Sequence, residues 1–179
     1  RKRVKRRNLF PKIMFFVAPA DLQPKWRQKN TTERVCRKKS KKIELYFIGH
    51  LQKNKINRAL KIFDLLTIDS FEIASEINKR TNKKIKILIE VNISNEPQKH
   101  GCKPQQLINL IKKLSTLKNI EVLGLMAMAP YFKNTEKTRP YFKKMKSLFN
   151  KIKKLKLNNV KMDILSLGMS HDYKIAIQE

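Results

Sequence analysis

Apolar positions along the chain gather into five runs, at 45–48, 65–68, 85–93, 120–129 and 160–167, separated by stretches with helical spacing. Runs such as KILIEVNI are apolar on both faces, which suits parallel strands covered by helices rather than strands with one wet side. After the third run, Pro104 is placed for the first turn of a helix. Leu107, Ile108, Leu110, Ile111, Leu114 and Leu117 then share one face. A second amphipathic stretch puts Phe142, Met145, Leu148, Phe149, Ile152 and Leu155 on a stripe, with Lys143, Lys144, Lys146, Lys151, Lys153, Lys154 and Lys156 opposite, most simply as a solvated face. Strand and helix alternating five times predicts an α/β fold with a parallel sheet. A doubly wound sheet and a (β/α)8 barrel both fit this pattern. No Gly-x-Gly-x-x-Gly follows a first strand and no Walker loop occurs, so the usual reasons to choose a nucleotide-binding doubly wound sheet are missing.

Ligands in parallel α/β folds sit at the carboxyl ends of strands. Those ends carry Gly49-His50-Leu51-Gln52, Asp69-Ser70, Asn92 with Ser94, Met126 before Pro130, and Gly168-Met169-Ser170-His171-Asp172. In the last, a glycine would allow close backbone approach, and Ser170 opening a helix would offer a hydroxyl and amides to a phosphate. Equally, Ser170 would serve only as an N-cap with Asp172 complementing the helix dipole. His50 reads either as an acid–base or ring-contacting group or as a satisfied structural histidine. His100 and His171 read as loop or helix-start residues. Neither a Ser/His/Asp set nor a carboxylate pair with hydrolase spacing emerges.

Composition changes the picture at one place. The net charge is +28 over 179 residues, and residues 1–42 carry half of it, with 16 Lys/Arg against 2 acids. Seven of the ten arginines lie there, and isoleucine is almost confined to residues 43–179. The chain therefore divides into a basic leader, 1–42, poorly ordered or foreign to the reading frame, and a folded part, 43–179. Such charge would also bind polyanions, nucleic acid included, in a salt-dependent way. Cys36 and Cys102 stand far apart and form no metal or disulfide pattern, so a reducing cytoplasm and no metal site are expected. With no apolar run of spanning length, membrane insertion is not expected.

GHLQKNK, LIEVNISNEPQKHG, GLMAMAP and LSLGMSHDYKIAI, in this order, resemble the pyridoxal phosphate homeostasis protein family over about residues 43–179. That resemblance implies the alanine-racemase N-terminal type of (β/α)8 TIM-type barrel, pyridoxal 5′-phosphate (PLP) as cofactor, a role in vitamin B6 homeostasis without established turnover, and a mostly monomeric state. It implies cofactor contacts from His50, Asn54, Asn92, Met126, Ser166, Gly168, Met169 and Ser170. Asn92, Glu96, Lys99 and Gly101 match the family's Asn-x-x-x-Glu-x-x-Lys-x-Gly pattern. Tyr46 stands where the family usually has histidine. The family's Ala-Val-Ser-Lys-type motif with its Schiff-base lysine, its Gly-Glu-Asn turn and its Arg-Ile-Gly-Thr-type phosphate loop are not found here. The resemblance thus covers about strands 3–7 of eight. A truncated or frameshifted copy is expected, with weak or absent PLP binding and no catalytic residue. Polyanion binding is the alternative role, and a PLP-dependent racemase ranks last.

Overall fold

The computed structural model describes residues 44–179; the expectations for the basic leader fall outside them. Five strands, β1 (Tyr46–Phe47), β2 (Leu65–Ile68), β3 (Ile85–Glu90), β4 (Ile120–Met126) and β5 (Val160–Ser166), form one sheet in the order β1-β2-β3-β4-β5. Every pair is parallel. The helices between them are α1 (Ile56–Ile62), α2 (Phe71–Lys79), α3 (Leu107–Leu114) and α4 (Arg139–Lys153), with α5 (Tyr173–Gln178) after β5. A doubly wound sheet reverses its strand order at a switch point. Among the described residues the sheet never reverses, so its winding is that of a barrel rather than of a doubly wound sheet.

The two faces of the sheet differ accordingly. Alternate strand residues point to opposite sides. Leu66, Ile68, Ile87, Ile89, Val122 and Leu125 join the helix residues Ile77, Leu107, Ile111, Met145 and Ile152 in one large core. Tyr46, Ile48, Leu65, Leu88 and Met126 form a separate, smaller cluster on the other face, with Leu123 and Ile164 against it. The helices thus cover one side and the second cluster is the barrel-interior side. Among the described residues, no helix is long and apolar enough to cross a membrane.

Several elements depart from the sequence reading. All five strands are found but four are shorter, because the ends of the apolar runs turn into the loops that carry polar groups. Pro104 is buried in a turn three residues before α3 and does not open the helix. Leu155 lies beyond the end of α4 and is 37% exposed, so the buried stripe stops at Ile152. All seven expected surface lysines of that region are exposed.

Asparagine clamps the amino end of the sheet. Asn119, just before β4, takes the Asn78 side-chain oxygen on its backbone N–H at 2.9 Å. Its side-chain amide donates to the Asn78 and Thr81 carbonyls at 3.0 and 2.7 Å, closing the end of α2. Asn159, just before β5, repeats the device with weaker bonds to the Ser115 and Leu117 carbonyls. Removing a donor from half-buried carbonyls costs about 1–3 kcal/mol. Asn119→Ala is expected to lower the denaturation midpoint by an amount equivalent to about 2 kcal/mol at unchanged slope. A shift below about 0.5 kcal/mol would mean that water replaces the clamp without loss.

Candidate functional site

Strand register brings one polar layer to the carboxyl ends. Ile68 pairs with Ile89, Glu90 with Met126 and Met126 with Ser166. Extending the β1–β2 register, where Phe47 pairs with Leu66, sets His50 beside Asp69. Their side chains meet, with His50 Nδ1 and Asp69 Oδ2 2.8 Å apart. Each member of the layer lies two residues beyond an interior-face position (Ile48, Thr67, Leu88, Gly124, Ile164). His50, Asp69, Glu90, Met126 and Ser166 therefore form a single rung at the mouth of the curled sheet.

The β4–β5 half of that rung makes an apolar wall. Ile48, Met126, Ala127, Met128, Ser166, Leu167, Gly168 and Met169 line one narrow recess. Ile48 directly follows β1 and the rest lie at or just past the ends of β4 and β5, so the sheet rolls far enough for the end of its first strand to face those of its last two. The recess itself has room for about 10 Å³, one water molecule. A ring-sized ligand would lie over this wall rather than inside it.

The turn after β5 differs from the sequence reading. Ser170 is exposed and does not open a helix; α5 starts at Tyr173, with Asp172 at the N-cap position. Asp172, 1% exposed, points back and accepts the Met169 N–H at 2.6 Å, so that amide is already committed. Gly168 has φ +82°, and a Cβ there would come within 2.8 Å of Tyr173 Cα and 2.9 Å of Ala176 Cβ. The close approach that requires glycine is therefore that of α5, not of a ligand. His171 leans on Tyr131, ring centroids 4.9 Å apart, and its buried Nε2 has no hydrogen-bond partner.

Asn54 and Asn92 are not on the wall. Asn54 is exposed in the 3₁₀ turn Lys53–Lys55. Asn92 is buried and spends its side chain on its own loop, donating to the Glu96 and Lys99 carbonyls at 2.8 and 3.0 Å. Lys99 Nζ in turn meets Glu96 Oε1 at 2.8 Å. Gly101, at φ +118°, lets the chain return beside β3, where a Cβ would strike the Asn92 nitrogen at 2.6 Å. Cys102 then bridges Val91 in parallel. The Asn-x-x-x-Glu-x-x-Lys-x-Gly pattern is thus a loop clamp. What it holds in place is His100, whose ring stacks on His50 with centroids 4.3 Å apart and planes 14° apart.

The β1–β3 half of the rung is electrostatically unusual for so basic a chain. Glu90 is 5% exposed, and its Oε2 has no hydrogen-bond partner. Burial, then the Asp69 carboxylate, pushes the Glu90 carboxyl up to about 7, against a smaller opposing pull from His50. Burial and Asp69 likewise push the Cys102 thiol up to about 11, so it stays a thiol at neutral pH. The sequence reading placed Asp69 at a strand end, took His100 for a loop or helix-start residue and passed over Glu90. A lone carboxylate inside the run ILIEV, at an interior-facing position, was the signal available.

The strand order, the one-sided helices and the mouth layer define part of a (β/α)8-type barrel sheet. A family model, alanine racemase N-terminal domain, matches residues 31–178. The chain belongs to that family. The match begins twelve residues before the boundary expected from composition. Among curated relatives, the pyridoxal phosphate homeostasis protein of Aquifex aeolicus is 40% identical over 141 residues, covering 76% of this chain and 61% of the relative. That of Homo sapiens is 31% identical over 147 residues, covering 76% and 53%. The resemblance read from the four motifs is therefore borne out, and the chain spans between a half and three-fifths of these relatives' length. A crystal structure of an unknown protein from Bifidobacterium adolescentis superposes with TM-score 0.70 at 31% identity, covering 75% of this chain and 55% of that one. PipY of Synechococcus elongatus PCC7942, solved with PLP bound, superposes with TM-score 0.72 over 83% of this chain and 69% of that one; at 23% identity it speaks for the fold alone.

The residues present suit part of PLP. The apolar wall suits a pyridine ring, and the Ser166 hydroxyl with the 168–170 turn suits phosphate oxygens. Among the described residues, none lining the recess is a lysine that could meet the aldehyde.

Proposed function

We propose that residues 44–179 form a non-covalent PLP-binding wall within a cytoplasmic, mostly monomeric protein of vitamin B6 homeostasis that does not turn over substrate. The observation that carries this reading is the convergence of Ile48, Met126, Ser166 and Met169 on one recess at the carboxyl ends of the strands. The curated relatives' names point the same way. Ser166, Gly168, Met169 and Ser170 are assigned to the phosphate side and Met126 to the ring side. His50 closes the mouth, while Asn54 and Asn92 act indirectly, through the loops they sit in. Bound PLP would supply an electrophilic aldehyde and a phosphate dianion; this wall orients the second and leaves the first unbonded. The exposed lysines of α4 favour nonspecific contact with polyanions as a property of charge, screened by salt.

The test is equilibrium dialysis of PLP against the full chain. Retention that reverses on dialysis is expected, and Ser166→Asp, which sets a carboxylate on the phosphate side, should weaken it at least tenfold. Equal retention by Ser166→Asp would remove the site from this wall. A borohydride-trapped adduct on one lysine would overturn the non-covalent reading.

A further inference from the structure

We propose that His50, Asp69 and His100 bind a divalent transition-metal ion of the zinc class at the mouth of the sheet, with the buried Glu90 carboxylate on the adjoining strand. One nitrogen of each histidine and one Asp69 oxygen already lie within 4.8 Å of one another. Two imidazoles and a carboxylate are a donor set that zinc and its neighbours favour over magnesium or calcium. The independent observation is Glu90, placed beside Asp69 by strand register, 95% buried, with a carboxylate oxygen that bonds to nothing among the described residues. Two carboxylates stand on neighbouring strands of this rung, and among the described residues no lysine or arginine is bonded to either. In a chain of net charge +28, that is where a cation is wanted.

Geometry sets what binding must do. Zinc stands about 2 Å from each donor, so the donors must close to roughly 3–4 Å of one another. The ion would take the place of the hydrogen between His50 Nδ1 and Asp69 Oδ2, and the neutral imidazole would carry its one N–H on Nε2 instead. Stacked rings 14° apart cannot both hold one ion in their planes, so His100 has to turn out of the stack. His100 is exposed and free to do so, while the Asn92 and Lys99–Glu96 contacts keep the loop itself in place. The site does not depend on PLP, and it uses residues that the wall of β4 and β5 does not.

The experiment is calorimetric titration of the PLP-free full chain with zinc ion alone, and with cobalt ion for a visible spectrum. One ion per chain is expected at this site. His100→Ala and Asp69→Asn should each weaken it at least tenfold, the scale on which lost metal-site partners act. His171→Ala, outside the cluster, should leave it unchanged. His100→Ala removes an exposed ring, so it keeps the fold and decides the matter even where Asp69→Asn does not fold. No binding by the parent chain, or binding that His100→Ala leaves intact, overturns the proposal. Either result is read without PLP and is independent of the dialysis outcome.

Discussion

Gly124→Ala is expected to bring the chain close to unfolding, although it adds one methyl group. Glycine is not needed at this position for a left-handed backbone; it is needed for space. An ideal Cβ on residue 124 would overlap the Ile164 carbonyl oxygen and stand 2.7 Å from its carbon. The cause lies in β5. Between Val122 and Gly124 strand β4 advances two residues, while its partners Val160 and Ile164 are four apart. The surplus is taken up by a bulge in which Met162 adopts φ +52°. A left-handed non-glycine residue costs about 1–2 kcal/mol. Here it is offset because Met162, 0% exposed, fills the core beneath the helices. The bulge presses the Ile164 carbonyl onto β4 where only hydrogen can face it. The obstacle is backbone on both sides, so no rotamer change relieves it. Overpacking of this kind costs about 3 kcal/mol or more, a large share of the roughly 5–15 kcal/mol that holds a domain. Denaturant unfolding of the variant should show a midpoint lowered by that amount. A parent-like midpoint would mean that the β4–β5 pairing is looser than drawn.

How much of this was legible in the sequence depends on how far apart the cooperating residues lie. The strands were legible because each is a run of Ile, Leu and Val whose burial is decided locally. The parallel arrangement followed from the alternation with helices. The choice between doubly wound sheet and barrel did not follow, because winding direction is a relation among all five strands and leaves no mark on any one of them. The wall residue Met126 was found because a strand end is a local feature; Ser166 came from the family resemblance alone. Ser170 was misread for the opposite reason. Where the helix starts is set by the turn in which the Asp172 and Tyr173 amides both bond the Met169 carbonyl, a closure no single residue announces. The cluster of His50, Asp69, Glu90 and His100 was not legible as a unit. Its members are brought together by strand register and by the Gly101 return, and no spacing rule joins them. Asn92 shows the same limit: its motif was recognised, but its work, holding Glu96 and Lys99, appears only when the loop is closed.

Glu90→Gln is expected to stabilise the metal-free chain at alkaline pH and to change it little at pH 5. A carboxyl group held near 7 in the folded state and near 4.5 when unfolded binds its proton more tightly when folded. Folding then draws on the protonated form. The full stability is present below about pH 4.5 and is lost as pH rises through about 7. A difference of about 2.5 pH units corresponds to about 3 kcal/mol. Burial is the main cause and Asp69 the second, so Asp69→Asn should recover only the smaller part. Glutamine keeps the shape and removes the charge, and its amide gains nothing that a protonated carboxyl lacks; the gain over wild type should therefore appear only on the alkaline side. Unfolding is measured in chelator at pH 5 and pH 8.5, so that no ion occupies the cluster. The wild-type chain should lose up to about 3 kcal/mol more than the variant between the two. Parallel losses in the two proteins would show that Glu90 is solvated in the folded state, and the anionic character of the mouth would then rest on Asp69 alone.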